Sequence, residues 1–155
     1  MRAPSPAIPG IRGFFLNWIP STRSATSRRS AEGNHEVVRR RQDSLLREIM
    51  VLVLTGRYDR AIEYLDQNRF HAREGAEQIR DVYVDAQLLA GTEDLRAGRP
   101  AEALRHFERA TDYPDNLAIG RRTRDPRGAE MSYRDGMACD ALGLRDKALA
   151  CYRRG

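Results

Sequence analysis

Gly91-Thr92-Glu93-Asp94-Leu95-Arg96-Ala97-Gly98-Arg99-Pro100-Ala101-Glu102-Ala103-Leu104-Arg105-His106-Phe107-Glu108-Arg109-Ala110-Thr111-Asp112-Tyr113-Pro114 holds a helix, a glycine and a second helix in one short run. Gly98 suits the left-handed position that ends a helix, and Pro100 stands near the first helical position of the next, where its missing N–H costs nothing. Working outward, the same grammar recurs on both sides. Upstream, Val38, Leu45, Leu46, Ile49, Val53 and Leu54 fall at helical spacing in a helix over Val37–Leu54. It is stopped at Gly56 and followed by a helix over Tyr58–Asn68. Glu77–Ala97 is a long helix leading into Gly98. Downstream, Ala129–Leu142, Gly143 and Arg145–Arg154 repeat the pattern. Strand alternation is almost absent, so the expected class is all-α, with about three helical hairpins.

The three glycines bring the hairpins into register. Five residues after each comes Ala61, Ala103 or Ala148, and nine after comes Leu65, Phe107 or Tyr152. Seven residues before the second and third glycines stand Gly91 and Gly136, whereas the first copy has Ile49 there. Small residues at −7 and +5 let two antiparallel helices approach closely, and the bulky residue at +9 fills the space toward the next repeat. With Gly91, Gly98, Ala103, Phe107, Ala110 and Pro114 at or within one residue of its signature positions, the middle unit resembles the tetratricopeptide repeat (TPR). The resemblance covers roughly residues 40–155 and implies an α-α superhelix, a TPR-like solenoid. Glycine-to-glycine spacings of 42 and 45 exceed the roughly 34 residues of that repeat, which places an inserted loop after each of the first two pairs.

The insertions carry a narrower resemblance. Residues 69–77, Arg-Phe-His-Ala-Arg-Glu-Gly-Ala-Glu, and residues 113–121, Tyr-Pro-Asp-Asn-Leu-Ala-Ile-Gly-Arg, look like segments of large bacterial proteins that join a sugar-enzyme-like domain to C-terminal TPR-like helices. Arg69, Phe70, His71, Glu74, Gly75 and Glu77 match that family's usual Arg-Phe-His-Pro-Trp-Glu-Gly-Gly-Glu-Gly, while Ala72, Arg73, Ala76 and Gln78 depart from it. By this resemblance the chain is a truncated relative, the helical part of a carbohydrate-active enzyme whose catalytic domain lies elsewhere.

Composition narrows the function classes. The 155 residues make one domain's worth of chain, and the longest apolar runs, such as Ile49–Leu54, fall far short of a membrane span. The net charge of +5 is concentrated at the start: residues 1–41 carry eight arginines against Glu32 and Glu36, leaving nineteen basic and twenty acidic side chains in the rest. Acidic and basic residues mix along helical faces there, so no phosphate-binding groove is indicated and nucleic acid is not the favoured partner. Residues 1–35, rich in proline, serine and arginine and acid-free before Glu32, read as a disordered basic tail, with residues 36–155 as the helical repeat domain. Cys139 and Cys151 stand twelve apart with no zinc-type spacing, the pattern of two small buried thiols in a reducing cytoplasm.

Candidate chemistry is sparse. His71, Glu74 and Glu77 are three apart and would converge on a metal or a hydroxyl only if that stretch were helical, and His-x-x-Glu lacks the second histidine of a zincin. Arg121, Arg122, Arg124 and Arg127 form a cationic cluster before the third hairpin, suited to an acidic peptide or a phosphate. Asp115 and Asn116 are expected to hold a turn by bonding its backbone. No catalytic residue, cofactor or metal is assigned. The expected function is binding of a peptide or neighbouring domain on the concave face lined by the first helix of each pair, with Arg47, Asp94 and Asp135 as its exposed contacts. The apolar side of Ala148, Leu149 and Tyr152 is expected to stay partly uncovered, favouring self-association or docking through that end.

Overall fold

The computed structural model describes residues 23–71 and 76–155. Six α-helices and one 3-10 turn follow in order: α1 Arg23–Leu54, α2 Tyr58–Gln67, α3 Ala76–Arg96, α4 Pro100–Ala110, the turn Asp115–Leu117, α5 Gly128–Ala141 and α6 Arg145–Arg154. There is no strand among the described residues. The class is all-α, and the helices pair as three hairpins. Two compact units divide the chain, residues 1–39 and residues 40–155. The described part of the first is the opening of α1, where Val37 and Val38 are exposed. This helix starts at Arg23, upstream of the expected Val37: no proline stands between Pro20 and Leu54, and the arginines and alanines there are good helix formers. The rest of the expected tail, residues 1–22, lies outside the described residues.

In the second unit the three hairpin corners are copies of one another. Gly56, Gly98 and Gly143 have φ of 75°, 74° and 75°, left-handed values that cost a residue with a Cβ about 1–2 kcal/mol. Each corner closes with the same pair of bonds. The N–H of Arg57, Arg99 and Leu144 donates to the carbonyls of Leu52, Asp94 and Cys139, at 2.8, 2.8 and 2.9 Å, and the glycine N–H donates three residues back. This is the Schellman arrangement, which satisfies the carbonyls that a helix end orphans. The residue after each glycine then starts the next helix by accepting from Ala61, Ala103 or Ala148.

Register sets the packing as well as the corners. A Cβ built on Gly91 would lie 2.5 Å from Cε1 of Phe107, and one built on Gly136 would run into the ring of Tyr152. Each glycine therefore receives the aromatic ring of the helix that folds back on it. In the first hairpin the same two positions are Ile49 and Leu65, both fully buried. Volume moves from one helix to the other while the pair stays filled. The alanines at +5, Ala61, Ala103 and Ala148, are 0–1% exposed. One hydrophobic cluster runs from Leu46 and Ile49 on α1 through Tyr83, Val84 and Phe107 to Met131 and Ala138 on α5. Each large side chain buried in it contributes about 1.5–3 kcal/mol.

Between hairpins the second helix of one packs on the first of the next, α2 on α3 and α4 on α5. The long connection from Thr111 to Arg127 is anchored by Arg80 of α3, only 6% exposed. Its guanidinium donates to the carbonyls of Asp112 (2.6 Å) and Ala110 (2.9 Å), pairs with Asp125 at 2.9 Å and stacks 4.1 Å from the Tyr113 ring centre. Tyr113 also donates its hydroxyl to Asp125 at 2.7 Å. Burial pushes the Asp125 carboxyl up, but the bonds from Tyr113, the Arg127 N–H and Arg80 outweigh it and hold the group below its ordinary value. No described helix is long and apolar enough to cross a membrane.

Candidate interaction surface

α3 packs on α2, α4 and α5, and its accessible residues include one stripe, Gln78, Asp81, Asp85, Leu89, Thr92 and Arg96, at steps of three and four, with Glu77 and Glu93 exposed beside it. Counted back from the corner glycine, Asp85, Leu89, Thr92 and Arg96 stand at −13, −9, −6 and −2. The same offsets on α1 are Asp43, Arg47, Met50 and Leu54, and on α5 Glu130, Arg134, Met137 and Ala141. All twelve are exposed or half-exposed. The outermost row is acidic in every copy, and the middle carries Met50, Leu89 and Met137. Side-chain bonds tie the α3 stripe to α5 and the residue before it. Arg127, just before α5, pairs with Asp85 at 2.7 Å, and Arg134 donates to the Thr92 hydroxyl at 3.2 Å.

Of the three expected contacts, Arg47 lies on this ridge and is exposed. Asp94 and Asp135 do not belong to it. Asp94, at −4, turns toward α4: its carboxylate accepts from Arg99 at 2.5 Å and lies 3.6 Å from Nε2 of His106. It borders a groove of about 300 Å³ beside the first corner, together with Arg57, Tyr58 and Asp59. His106 donates from Nδ1 to the buried Gln87 at 2.8 Å. Burial lowers the imidazole's pKa, and Asp94 only partly offsets that, so the ring is a neutral tie between helices. Asp135, at −8, is 7% exposed, which corrects its expected place at the surface. It sits about a third of a turn off the ridge. Burial and the nearby Glu108 push its carboxyl up to about 6 against a partial offset from Arg154, and its Oδ1 has no partner among the described residues. Arg47's own offset of −9, applied to the other two copies, would have selected Leu89 and Arg134.

The arginine cluster does not act as one patch. Arg122 pairs with Glu77 at 2.5 Å and Arg127 with Asp85 and Glu130. Arg121 lies 5.8 Å from the Tyr113 ring centre, and Arg124 is exposed. Arg80 had no signal in the sequence beyond an arginine standing where the α3 period asks for an apolar residue.

The two inserted segments meet. Phe70 is 2% exposed and donates its N–H to the carbonyl of Asn116 at 2.7 Å. The Asn116 amide donates to the carbonyls of Leu65 (2.7 Å) and Asn68 (2.9 Å), closing the end of α2. Asn116 thus bonds a distant helix end instead of the backbone of its own turn, and Leu117 beside it is buried. His71 lies outside any helix while Glu77 is in the first turn of α3, so the two share no helical face. His71 accepts at Nδ1 from Gln42 at 2.6 Å, Glu77 turns to Arg122, and Arg69 is exposed. Glu74 and Gly75 lie outside the described residues. Among the described residues no three side chains are grouped to hold a metal.

At the third hairpin Leu149 and Tyr152 are 51% and 37% exposed. Ala148 is buried instead, because the +5 position faces the partner helix within the hairpin. Phe107, equivalent to Tyr152, is fully buried under α5. The Tyr152 ring lies 5.7 Å from that of Tyr133, and its hydroxyl donates to Asp140 at 2.8 Å. That bond pushes the phenol up to about 12. No family model matches the chain, and no solved structure matches it.

Proposed function

We propose that the chain is a protein-interaction module of the tetratricopeptide type, cytoplasmic, that takes a peptide along the ridge of its first helices. The observation that carries this is the shared set of offsets: the same four positions of α1, α3 and α5 reach solvent. A stripe repeated at the same offsets in stacked hairpins can run on as one surface, the way solenoids build binding faces. Met50, Leu89 and Met137 supply a deformable apolar centre, and methionine accommodates varied side chains. Arg47, Arg134 and the acidic row beside them give a peptide its direction. The ligand that fits is a short segment with apolar side chains toward the centre and charges at its flanks.

The test is a displayed random-peptide selection on the whole protein, with isothermal titration of the winners. Leu89→Glu and Arg134→Glu are expected to weaken each winner at least tenfold, while Arg60→Glu, on the opposite helix of the first hairpin, leaves it unchanged. Winners indifferent to both ridge substitutions would remove the concave-face reading.

A further inference from the structure

The offsets −4 and +8 stand at equivalent places in every hairpin. In the second they hold Asp94 and His106, 3.6 Å apart, and in the first Leu52 and Tyr64, both packed on the core. In the third they hold Cys139 on α5 and Cys151 on α6, the only cysteines of the chain, both free thiols and both buried. Both are buried where α5 and α6 pack together, and Cys151 is one of the groups that push the Cys139 thiol up. Gly136, one turn before Cys139, lies under Tyr152, the neighbour of Cys151, and the lack of a Cβ lets the two helices close on each other. Such close packing favours the Cα separation of about 4.4–6.8 Å that a disulfide requires.

We propose that Cys139 and Cys151 form a reversible dithiol–disulfide pair within the third hairpin, closed by low-molecular-weight disulfides and opened by low-molecular-weight thiols. Their environments assign the order of events. Arg154 on the same helix places Nη2 3.5 Å from the Cys151 sulfur, at the more open edge of the pair. Cys139 is the deeper of the two, 3% against 7% exposed, and burial first, then Cys151, keeps its proton on. Cys151 is therefore the attacking sulfur and Cys139 the resolving one. In the first step the Cys151 thiolate attacks one sulfur of the small disulfide, breaks its S–S bond and releases one small thiolate, which takes a proton from water. In the second, Cys139 loses its proton to solvent and attacks the Cys151 sulfur, and the second small thiol leaves. Two protein thiols are oxidised and one small disulfide is reduced to two thiols, so electrons and protons balance. α6 is the helix whose outer side carries the exposed Leu149 and Tyr152, so local opening there admits the oxidant. Transient, redox-sensing pairing is the kind of disulfide expected in a reducing compartment.

The experiment exposes the full chain to glutathione disulfide, then alkylates under denaturing conditions and measures intact mass. The wild type is expected to lose both alkylatable thiols, become lighter by two hydrogen atoms and retain no glutathione, and a small dithiol restores both. Cys139→Ser is expected to keep one glutathione on Cys151, and Cys151→Ser to stay unmodified over the same exposure. Wild-type protein that keeps both thiols, accumulates the mixed disulfide without closing it, or forms only chain-to-chain crosslinks overturns the proposal. The wild-type result decides even if a serine variant loses its helical circular dichroism.

Discussion

Adding one methyl group at Gly91 and at Gly136 separates packing from propensity. Both glycines stand at −7 in their hairpins, both lie inside helices, and both face an aromatic ring. Alanine gains about 0.8–1.0 kcal/mol over glycine in a helix interior at either position. The opposing cost differs. At Gly91 the new Cβ falls 2.5 and 2.9 Å from two ring carbons of Phe107, where carbon atoms prefer about 3.5–4.0 Å, so the ring must retreat by about 1 Å. It has nowhere to go, being fully buried, and the third neighbour is the backbone carbonyl of Ala103 at 3.0 Å. Overpacking of this kind costs about 1–3 kcal/mol, here toward the upper end, so Gly91→Ala is expected to lose about 1–2 kcal/mol net. At Gly136 the three close atoms all belong to the Tyr152 ring, which is 37% exposed and free to pivot outward. The pivot gives up only the exposed bond to Asp140, so Gly136→Ala is expected to stay close to wild type in stability. Urea unfolding followed at 222 nm is the assay, and a difference of at least about 1 kcal/mol between the variants corresponds to about 2–4 °C in Tm. Phe107→Leu in the Gly91→Ala background should recover part of the loss. If Gly91→Ala proves as stable as wild type, or Gly136→Ala the worse of the two, the ring-over-glycine account of the hairpin is wrong.

Gly98→Ala meets open space but a φ of 74°, so it should cost about 1–2 kcal/mol through backbone strain alone, seen as a lower urea midpoint with unchanged slope. Arg80→Met strands the Asp125 carboxylate and two carbonyls and should cost about 3 kcal/mol, while adding Asp125→Asn should cost less than the sum of the single changes. Asp125 itself has a depressed folded pKa, so its contribution is present above about pH 4 and is lost as pH falls through the folded value, which acid unfolding of Asp125→Asn against wild type would display. Asp135 runs the other way. Its folded pKa is raised from 3.8 to about 6, so the fold binds its proton more tightly than the unfolded chain does, and stability falls as pH rises between those values. Asp135→Asn should therefore be more stable than wild type at pH 7.5, by as much as about 3 kcal/mol, and should lose that advantage near pH 4, as paired urea titrations would show.

Helix limits and corners were legible because their causes are local. Gly56, Gly98 and Gly143 mark φ values that glycine alone adopts without strain, and Pro100 marks a start, so five of the six helices end within about two residues of their expected limits. Spacing showed that Gly91 and Gly136 allow close helix approach, but it aimed the +9 residue at the next repeat, whereas the Phe107 and Tyr152 rings lie over the glycines of their own hairpins. The start of α1 was not, since arginine and serine read as loop by composition while arginine favours helix. Asp135 was misplaced because a charge on an amphipathic helix is ordinarily solvated, and only the packing of neighbouring helices shows which side is closed. The network around Arg80 joins residues thirty to forty-five positions apart, and no local pattern announces such a partnership. The meeting of Phe70 with Asn116 is invisible for the same reason.

The paired positions at −7 and +9 have a consequence for how such a chain changes over generations. Ile49 with Leu65 and Gly91 with Phe107 are two fillings of the same gap, sixteen residues apart along the chain. A single step from one toward the other leaves either a hole or a collision, each worth kilocalories against a marginal total. The two positions are thus bound to drift as a couple, with a tolerated intermediate such as alanine opposite leucine on the way. In an alignment they should covary strongly while neither is conserved alone, and this one molecule already preserves both endpoints of that exchange side by side.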